Sequence, residues 1–375
     1  MLRLYNAAAS KEITQVIGEL CTSGQIASGE FEFKLKKKIS SVLGAKNVSV
    51  LSNYYSCIDV LLKIIGINKG DKVICKSFSC LNTTSPVLNN GAEIVWVDLK
   101  PNSTDISLED LENKIIKNRP KVLINYHISG YVDNTESIKA ICEKYNVIVV
   151  EDSNALLFSS VNDNYLCNIS NYTVYSLYPN RLVGGIDGGI LVCRSELDTK
   201  RVDALKRLGI PSHGFRDELG EINPLCDIES AGVNAVNSNI SNAMAYESLK
   251  LVDGKLDKLT KNVALLRSLL KDNVYVDLVD DYNYSNSSIC WNFLILVNAS
   301  SKIEFISKLR KSGVEASTMH INNHYYSLFP EGDGLENTDN FYKRVLAIPC
   351  GWWLNPEEIR FVAKKVNEIS QQLGG

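Results

Sequence analysis

The 375-residue chain predicts an α/β fold with a mainly parallel central sheet in a large domain, followed by a smaller C-terminal α/β domain. Three observations carry this. Short apolar runs alternate with helix-like segments from residue 48 to about 195, the order that parallel strands joined by helical crossovers produce. The runs are continuously apolar rather than alternating, as strands covered on both faces are. At 45% hydrophobic and 22% charged residues, a chain of this length reads as an ordinary globular protein with a large core.

The elements follow in order. Phe31, Phe33, Leu35, Ile39, Val42 and Leu43 suit an amphipathic helix. Its solvated face accounts for the one basic cluster, Lys34 to Lys38, and with a net charge of −3 nothing else suggests a nucleic-acid partner. Val48 to Leu51 reads as a strand leading to a helix over 56–65, and Lys72 to Lys76 as the next strand. Glu93 to Val97 is strand-like, and 107–116 is a helix with an acidic start and Ser107 as its cap. A strand at Val122 to Tyr126, a helix over 135–145 and strands at Val147 to Val150, Tyr172 to Leu177 and Gly189 to Cys193 complete the pattern. Residues 196–240, punctuated by Gly209, Pro211, Gly214, Gly220, Pro224 and Gly232, predict a long irregular connection. We place the domain boundary in it: 1–235 for the N-terminal segment and large domain, 236–375 for the smaller one. Ser241 to Leu270 is helical in pattern. The segment from 288 on holds a strand (Trp291 to Val297), a helix (302–312), a loop with two histidines and a last amphipathic helix after Pro356.

The first residues lack an apolar stretch of signal-peptide length and no run is long enough for a membrane span, which predicts a cytoplasmic protein. Ten scattered cysteines without a Cys-x-x-Cys pair read as free thiols in a reducing compartment. The four histidines do not pair with cysteine at metal-site spacing, so no metal is expected.

The segment Tyr175-Ser176-Leu177-Tyr178-Pro179-Asn180-Arg181, followed by Gly184-Gly185-Ile186-Asp187-Gly188-Gly189, resembles the cofactor-lysine segment of the DegT/DnrJ/EryC1/StrS aminotransferases. Ser28-Gly29 before a helix ending in Leu43-Gly44, Gly70-Asp71-Lys72-Val73, Asn90-Gly91-Ala92 through Asp98, His127-Ile128-Ser129-Gly130, Glu151-Asp152, Gly232-Val233-Asn234 and Ile348-Pro349 before Leu354 match the same family in order. The resemblance implies the fold-type-I aminotransferase fold. It also implies a dimer whose subunits share active sites, pyridoxal phosphate (PLP) as cofactor, and nucleotide sugars of surface polysaccharides as substrates.

Position by position, the resemblance places Arg181 where the family has its Schiff-base lysine, and no lysine lies between Tyr145 and Arg194. A guanidinium stays protonated and cannot attack an aldehyde as a free amine does. Asp152 matches the carboxylate that pairs with the pyridinium nitrogen. Tyr54 and Tyr55, before Ser56, stand where the family has a glycine and a small hydroxyl residue at a phosphate-binding helix start. Ser176 matches a phosphate-contacting serine, and Cys80 stands in the place of the stacking aromatic. Asn154 is a shifted substitute for a glutamine. Asn234 matches a residue lent by the neighbouring subunit, whereas Val236 replaces that subunit's arginine.

His320 and His324 resemble a substrate-side loop. His127 ends a strand beside the one carrying Glu151 and Asp152, where ligands sit in open α/β sheets and where a histidine–carboxylate pair suits acid–base work. A hydrogen-bonded structural histidine is an equal reading of His127. Arg181 is suited to an anion, such as a sugar-nucleotide diphosphate or free phosphate. Three functions stay open: a homologue unable to transaminate that binds a sugar nucleotide or partners an active paralogue in a heterodimer; a cofactor-independent enzyme on a nucleotide-linked keto-sugar; and an active aminotransferase with a lysine from elsewhere, such as Lys206.

Overall fold

Among the described residues, six helices begin where a side chain accepts the backbone N–H three residues on: Asn53, Ser107, Asn134, Ser195, Ser238 and Asn355. Each satisfies a donor that the first helical turn leaves orphaned. The computed structural model describes residues 1–7, 10–155, 157–162, 164–279, 290–298 and 300–374. The start of the 288-on segment therefore lies outside the described residues.

In chain order the elements are α1 (Ile13–Ser23), α2 (Phe31–Leu43), β1 (Val48–Leu51), α3 (Tyr54–Ile65), β2 (Lys72–Lys76), α4 (Leu81–Asn89), β3 (Glu93–Val97), α5 (Leu108–Asn118), β4 (Val122–Tyr126), α6 (Thr135–Lys144) and β5 (Ile148–Asp152). Then come β6 (Ser160–Val161), β7 (Asn164–Tyr165), β8 (Tyr172–Ser176), β9 (Gly189–Val192), α7 (Glu196–Leu205), α8 (Asn239–Leu249) and α9 (Val252–Leu270). The last are β10 (Asp277–Leu278), β11 (Phe293–Leu296), α10 (Lys302–Lys311), α11 (Glu336–Arg344), β12 (Val345–Ile348) and α12 (Pro356–Gly374).

Seven strands form one sheet in the order β1-β9-β8-β5-β4-β2-β3. Only β9 runs against the rest, pairing antiparallel with both β1 and β8. The others are parallel and buried, as their continuous apolar sequences require. A second, antiparallel sheet, β10-β11-β12, is accompanied by α9, α10 and α12.

Two segments differ from the sequence reading. Residues 196–240 open with a regular helix, α7, which Ser195 caps; the glycines and prolines lie beyond it and do not break it. The helical stretch after Ser241 is two helices, α8 and α9, interrupted at Lys250 and Leu251. Among the described residues, no helix is long and apolar enough to cross a membrane.

Candidate functional site

The carboxyl ends of β2, β4, β5 and β8 converge, and the loops that follow them carry the polar residues of the site. Asp152 ends β5 and is fully buried. Its Oδ2 accepts a hydrogen bond from the Thr83 hydroxyl at 2.6 Å, and its Oδ1 accepts from the Asn154 side-chain amide at 2.9 Å. Burial pushes its carboxyl pKa up, opposed by these hydrogen bonds and by the Tyr54 phenol that faces it.

Tyr54 opens α3 with its ring buried and its phenol facing Asp152 and Thr83. Burial first, and then the Asp152 charge, lifts that phenol well above its ordinary pKa. At the same helix start the Ser56 N–H donates to the Asn53 side-chain Oδ1 at 2.8 Å, and the Tyr55 hydroxyl meets the Asn89 side chain.

Arg181 lies in the loop from β8 to β9, which folds back through Gly185 N–H to the Leu177 carbonyl at 2.8 Å. Gly184 is needed there, since a Cβ would stand 2.7 Å from the Pro179 oxygen. Nη2 of Arg181 donates to Asn154 Oδ1 at 3.2 Å, and the guanidinium covers the Trp291 ring at 3.9 Å. Its Nε and Nη1 are out of solvent and have no hydrogen-bond partner among the described residues. Burial lowers its pKa, opposed chiefly by Tyr126 and Cys80.

His320 Nε2 lies 3.0 Å from the Tyr126 hydroxyl, with the Phe78 ring edge-on. Burial, reinforced by the Arg181 charge, lowers its pKa to about 4, so the ring is neutral at physiological pH. Cys80 caps α4 and senses both Asp152 and Arg181. It also lines, with His320, a cleft of about 690 Å³ between the start of α4 and the 317–321 segment.

The other predicted residues lie apart from this group. His324 is bound through Nδ1 to the Ser77 hydroxyl at 2.7 Å and faces Asp339 at 3.2 Å, so the two histidines four apart do not share one face. His127 is buried with Nε2 at 2.9 Å from Glu151 and Nδ1 accepting from the Asp133 N–H at 3.3 Å. Because side chains alternate along β5, Glu151 and Asp152 face opposite ways, and His127 is on the Glu151 side. Ser176 Oγ accepts from the Tyr178 N–H at 3.1 Å. Asn234 is exposed and forms an isolated bridge with Arg207. Lys206 is held by Glu32 at 2.6 Å, Asp203 at 3.1 Å and the Val50 carbonyl at 2.9 Å. Trp291, Thr83 and Tyr126 were not singled out from sequence. Each arrives from a different element, and nothing in its local pattern marks it.

The family model described as the DegT/DnrJ/EryC1/StrS aminotransferase family matches residues 7–367. A Campylobacter jejuni protein named UDP-4-amino-4,6-dideoxy-N-acetyl-beta-L-altrosamine transaminase is 22% identical over 362 residues, covering 95% of this chain and 92% of its own length. A sugar aminotransferase from Micromonospora echinospora superposes with a TM-score of 0.91 at 21% identity, over 98% of this chain and 100% of that one. A Bacillus subtilis structure with bound cofactor PMP gives a TM-score of 0.86 at 20% identity, over 96% of this chain and 82% of that one.

Proposed function

The chain belongs to the DegT/DnrJ/EryC1/StrS aminotransferase family, and from that premise we propose that it keeps the family's kind of ligand, a nucleotide-linked sugar of polysaccharide biosynthesis, but does not transaminate. The observation that carries this reading is Arg181, built into the pocket by Trp291 and Asn154. Its neighbours support it. The residues present do not fit PLP held in the family's way. No amine is offered at position 181. A tyrosine, Tyr54, stands at the helix start where the family has a glycine, with its buried phenol by Asp152 and Thr83, and the Ser56 N–H is already bound by the Asn53 side chain. Both Asp152 oxygens have partners in Thr83 and Asn154.

Two lysines come under consideration as replacements, and both are engaged. Lys206 has Glu32 and Asp203. Lys76 is fully buried against Asp133 at 2.6 Å and the carbonyls of Thr104 and Tyr126. The relatives' names speak of transaminases acting on UDP-sugars, and their length and order match this chain nearly throughout. The exposure of Asn234 suits a homodimer in which it reaches a neighbouring site.

The test is the absorbance spectrum of the purified protein before and after adding PLP and removing the excess. No retained band is expected. A band that persists through borohydride reduction and dialysis, and maps to a lysine by mass spectrometry, overturns the reading and restores an active aminotransferase.

A further inference from the structure

The hydrogen bonding of Arg181 is incomplete. The Arg181 guanidinium has Asn154 on Nη2 and Trp291 on its face, while the buried Nε and Nη1 have no partner among the described residues. A buried donor left unmade costs about 1–3 kcal/mol, and more when charged, so an acceptor from outside the chain is favoured there.

Charge selects the acceptor. Arg181 is the cation that acts on Tyr5, Cys80, Tyr126 and His320. Lys76, beyond the Tyr126 carbonyl, is matched by Asp133. The His320 imidazole is neutral. The Asp152 carboxylate stands near enough to act on Arg181. A phosphate dianion would bring two charges to a single cation beside a carboxylate. A carboxylate brings one, and its two oxygens suit the N–H fork of a guanidinium. Cys80 and His320, both within reach of the Arg181 charge, line a cleft whose walls also carry Leu81, Ile306, Tyr342 and Arg310, the last with its guanidinium turned to the Ala316 carbonyl at 2.8 and 3.0 Å. Its volume, about 690 Å³, falls within the range of small-molecule sites.

We propose that Arg181 recognises a carboxylate borne by the sugar, so that the ligand is a nucleotide-linked uronic acid rather than a neutral hexose. This rests on the reading above that the pocket holds a sugar nucleotide. One cation in a mostly buried site then does the discriminating, by forming charge-assisted hydrogen bonds that a hydroxymethyl group cannot accept in the same strength.

The experiment is calorimetric titration of the full chain with UDP-glucuronate, UDP-glucose, 2-oxoglutarate and inorganic phosphate, repeated on Arg181→Gln and Arg181→Lys. UDP-glucuronate is expected to bind about tenfold or more tighter than UDP-glucose. Arg181→Gln should erase that difference by weakening UDP-glucuronate more than UDP-glucose, and Arg181→Lys should restore part of it. Binding of 2-oxoglutarate that needs Arg181, with neither sugar nucleotide bound, would uphold the carboxylate site and sink the sugar-nucleotide reading. Equal affinity for the two sugar nucleotides, tighter binding of phosphate than of either carboxylate, or binding of none of the four overturns the proposal. Arg181→Gln also gives up the contact with Trp291, so a lower but still cooperative thermal melt, well above the titration temperature, separates lost recognition from lost folding.

Discussion

The Arg181 guanidinium lies over the Trp291 ring at 3.9 Å, and the Trp291 indole N–H returns a hydrogen bond to the Asn180 carbonyl at 3.2 Å. The loop after β8 and the start of β11 are thus joined twice, by a cation–π contact and by a backbone-directed hydrogen bond. Trp291 also meets the Tyr5 ring at 4.7 Å, which brings the N-terminal segment into the same wall. A cation held this way contributes about 0.5–2 kcal/mol through the ring alone. Arg181 is therefore part of the packing as well as a permanent positive charge beside Asp152.

Arg181→Lys alone is expected to give no measurable amino transfer from glutamate to a keto-sugar nucleotide. The substitution supplies an amine but leaves Tyr54 at the phosphate position and Asp152 bound to Thr83 and Asn154. Turnover above the no-enzyme blank in that single variant would refute the account of a pocket changed at several places.

Tyr54→Gly tests the second of those places. Combined with Arg181→Lys, it should raise the fraction of PLP retained after desalting above that of Arg181→Lys alone, read from the cofactor absorbance. The cost is stability, about 3–5 kcal/mol for removing a buried aromatic ring. Equal retention in both variants would mean that Tyr54 borders the phosphate position without filling it.

The strands were legible because continuous apolar runs report burial on both faces, and most of their ends were read within a residue or two. The direction of β9 was not, because an apolar run carries no sign of which way its neighbour points. Helix α7 was hidden by the glycines and prolines that follow it in 209–232, although Ser195 announces its start. In the site, Arg181 was legible because the loss of an amine is a property of one residue. Its surroundings were not: Trp291 comes from the far end of the chain, Thr83 from α4 and Tyr126 from β4, and only folding brings them together. The loop carrying His320 and His324 was legible, but where each ring would point was not. With Met319 at φ 69° and a short turn at Asn323–Tyr325, the chain is not helical there, and the two rings face different neighbours.

His320 should make the protein acid-sensitive. Its folded pKa, about 4, lies below the ordinary 6.5, so the unfolded chain binds the proton first as pH falls. The stability that this group contributes is full above pH 6.5 and is lost between there and pH 4. Allowing for a ring that is partly exposed, the loss is about 2 kcal/mol. Urea midpoints at pH 7.5 and pH 5 should therefore fall further apart in the parent protein than in His320→Gln. Equal spacing would mean that the ring titrates normally.

Lys76 is the lysine that a search for a replacement Schiff base reaches next, and its environment assigns it to the core. Its ammonium and the Asp133 carboxylate are both fully buried, 2.6 Å apart, and two backbone carbonyls complete the ammonium's bonds. Removing one member of such a pair strands the other, at a cost of about 3–5 kcal/mol. Lys76→Met should accordingly lower stability by that amount in chemical denaturation, and Lys76→Met with Asp133→Leu should recover part of it, since an apolar pair of similar size avoids the desolvation of both charges. Binding of UDP-glucose, where it occurs, should be unchanged in the double variant. If Lys76 instead served the pocket as a nucleophile, the double variant would be stable yet lose a borohydride-trapped adduct that the parent protein forms with PLP. That result would return the lysine, and with it amino transfer, to this site.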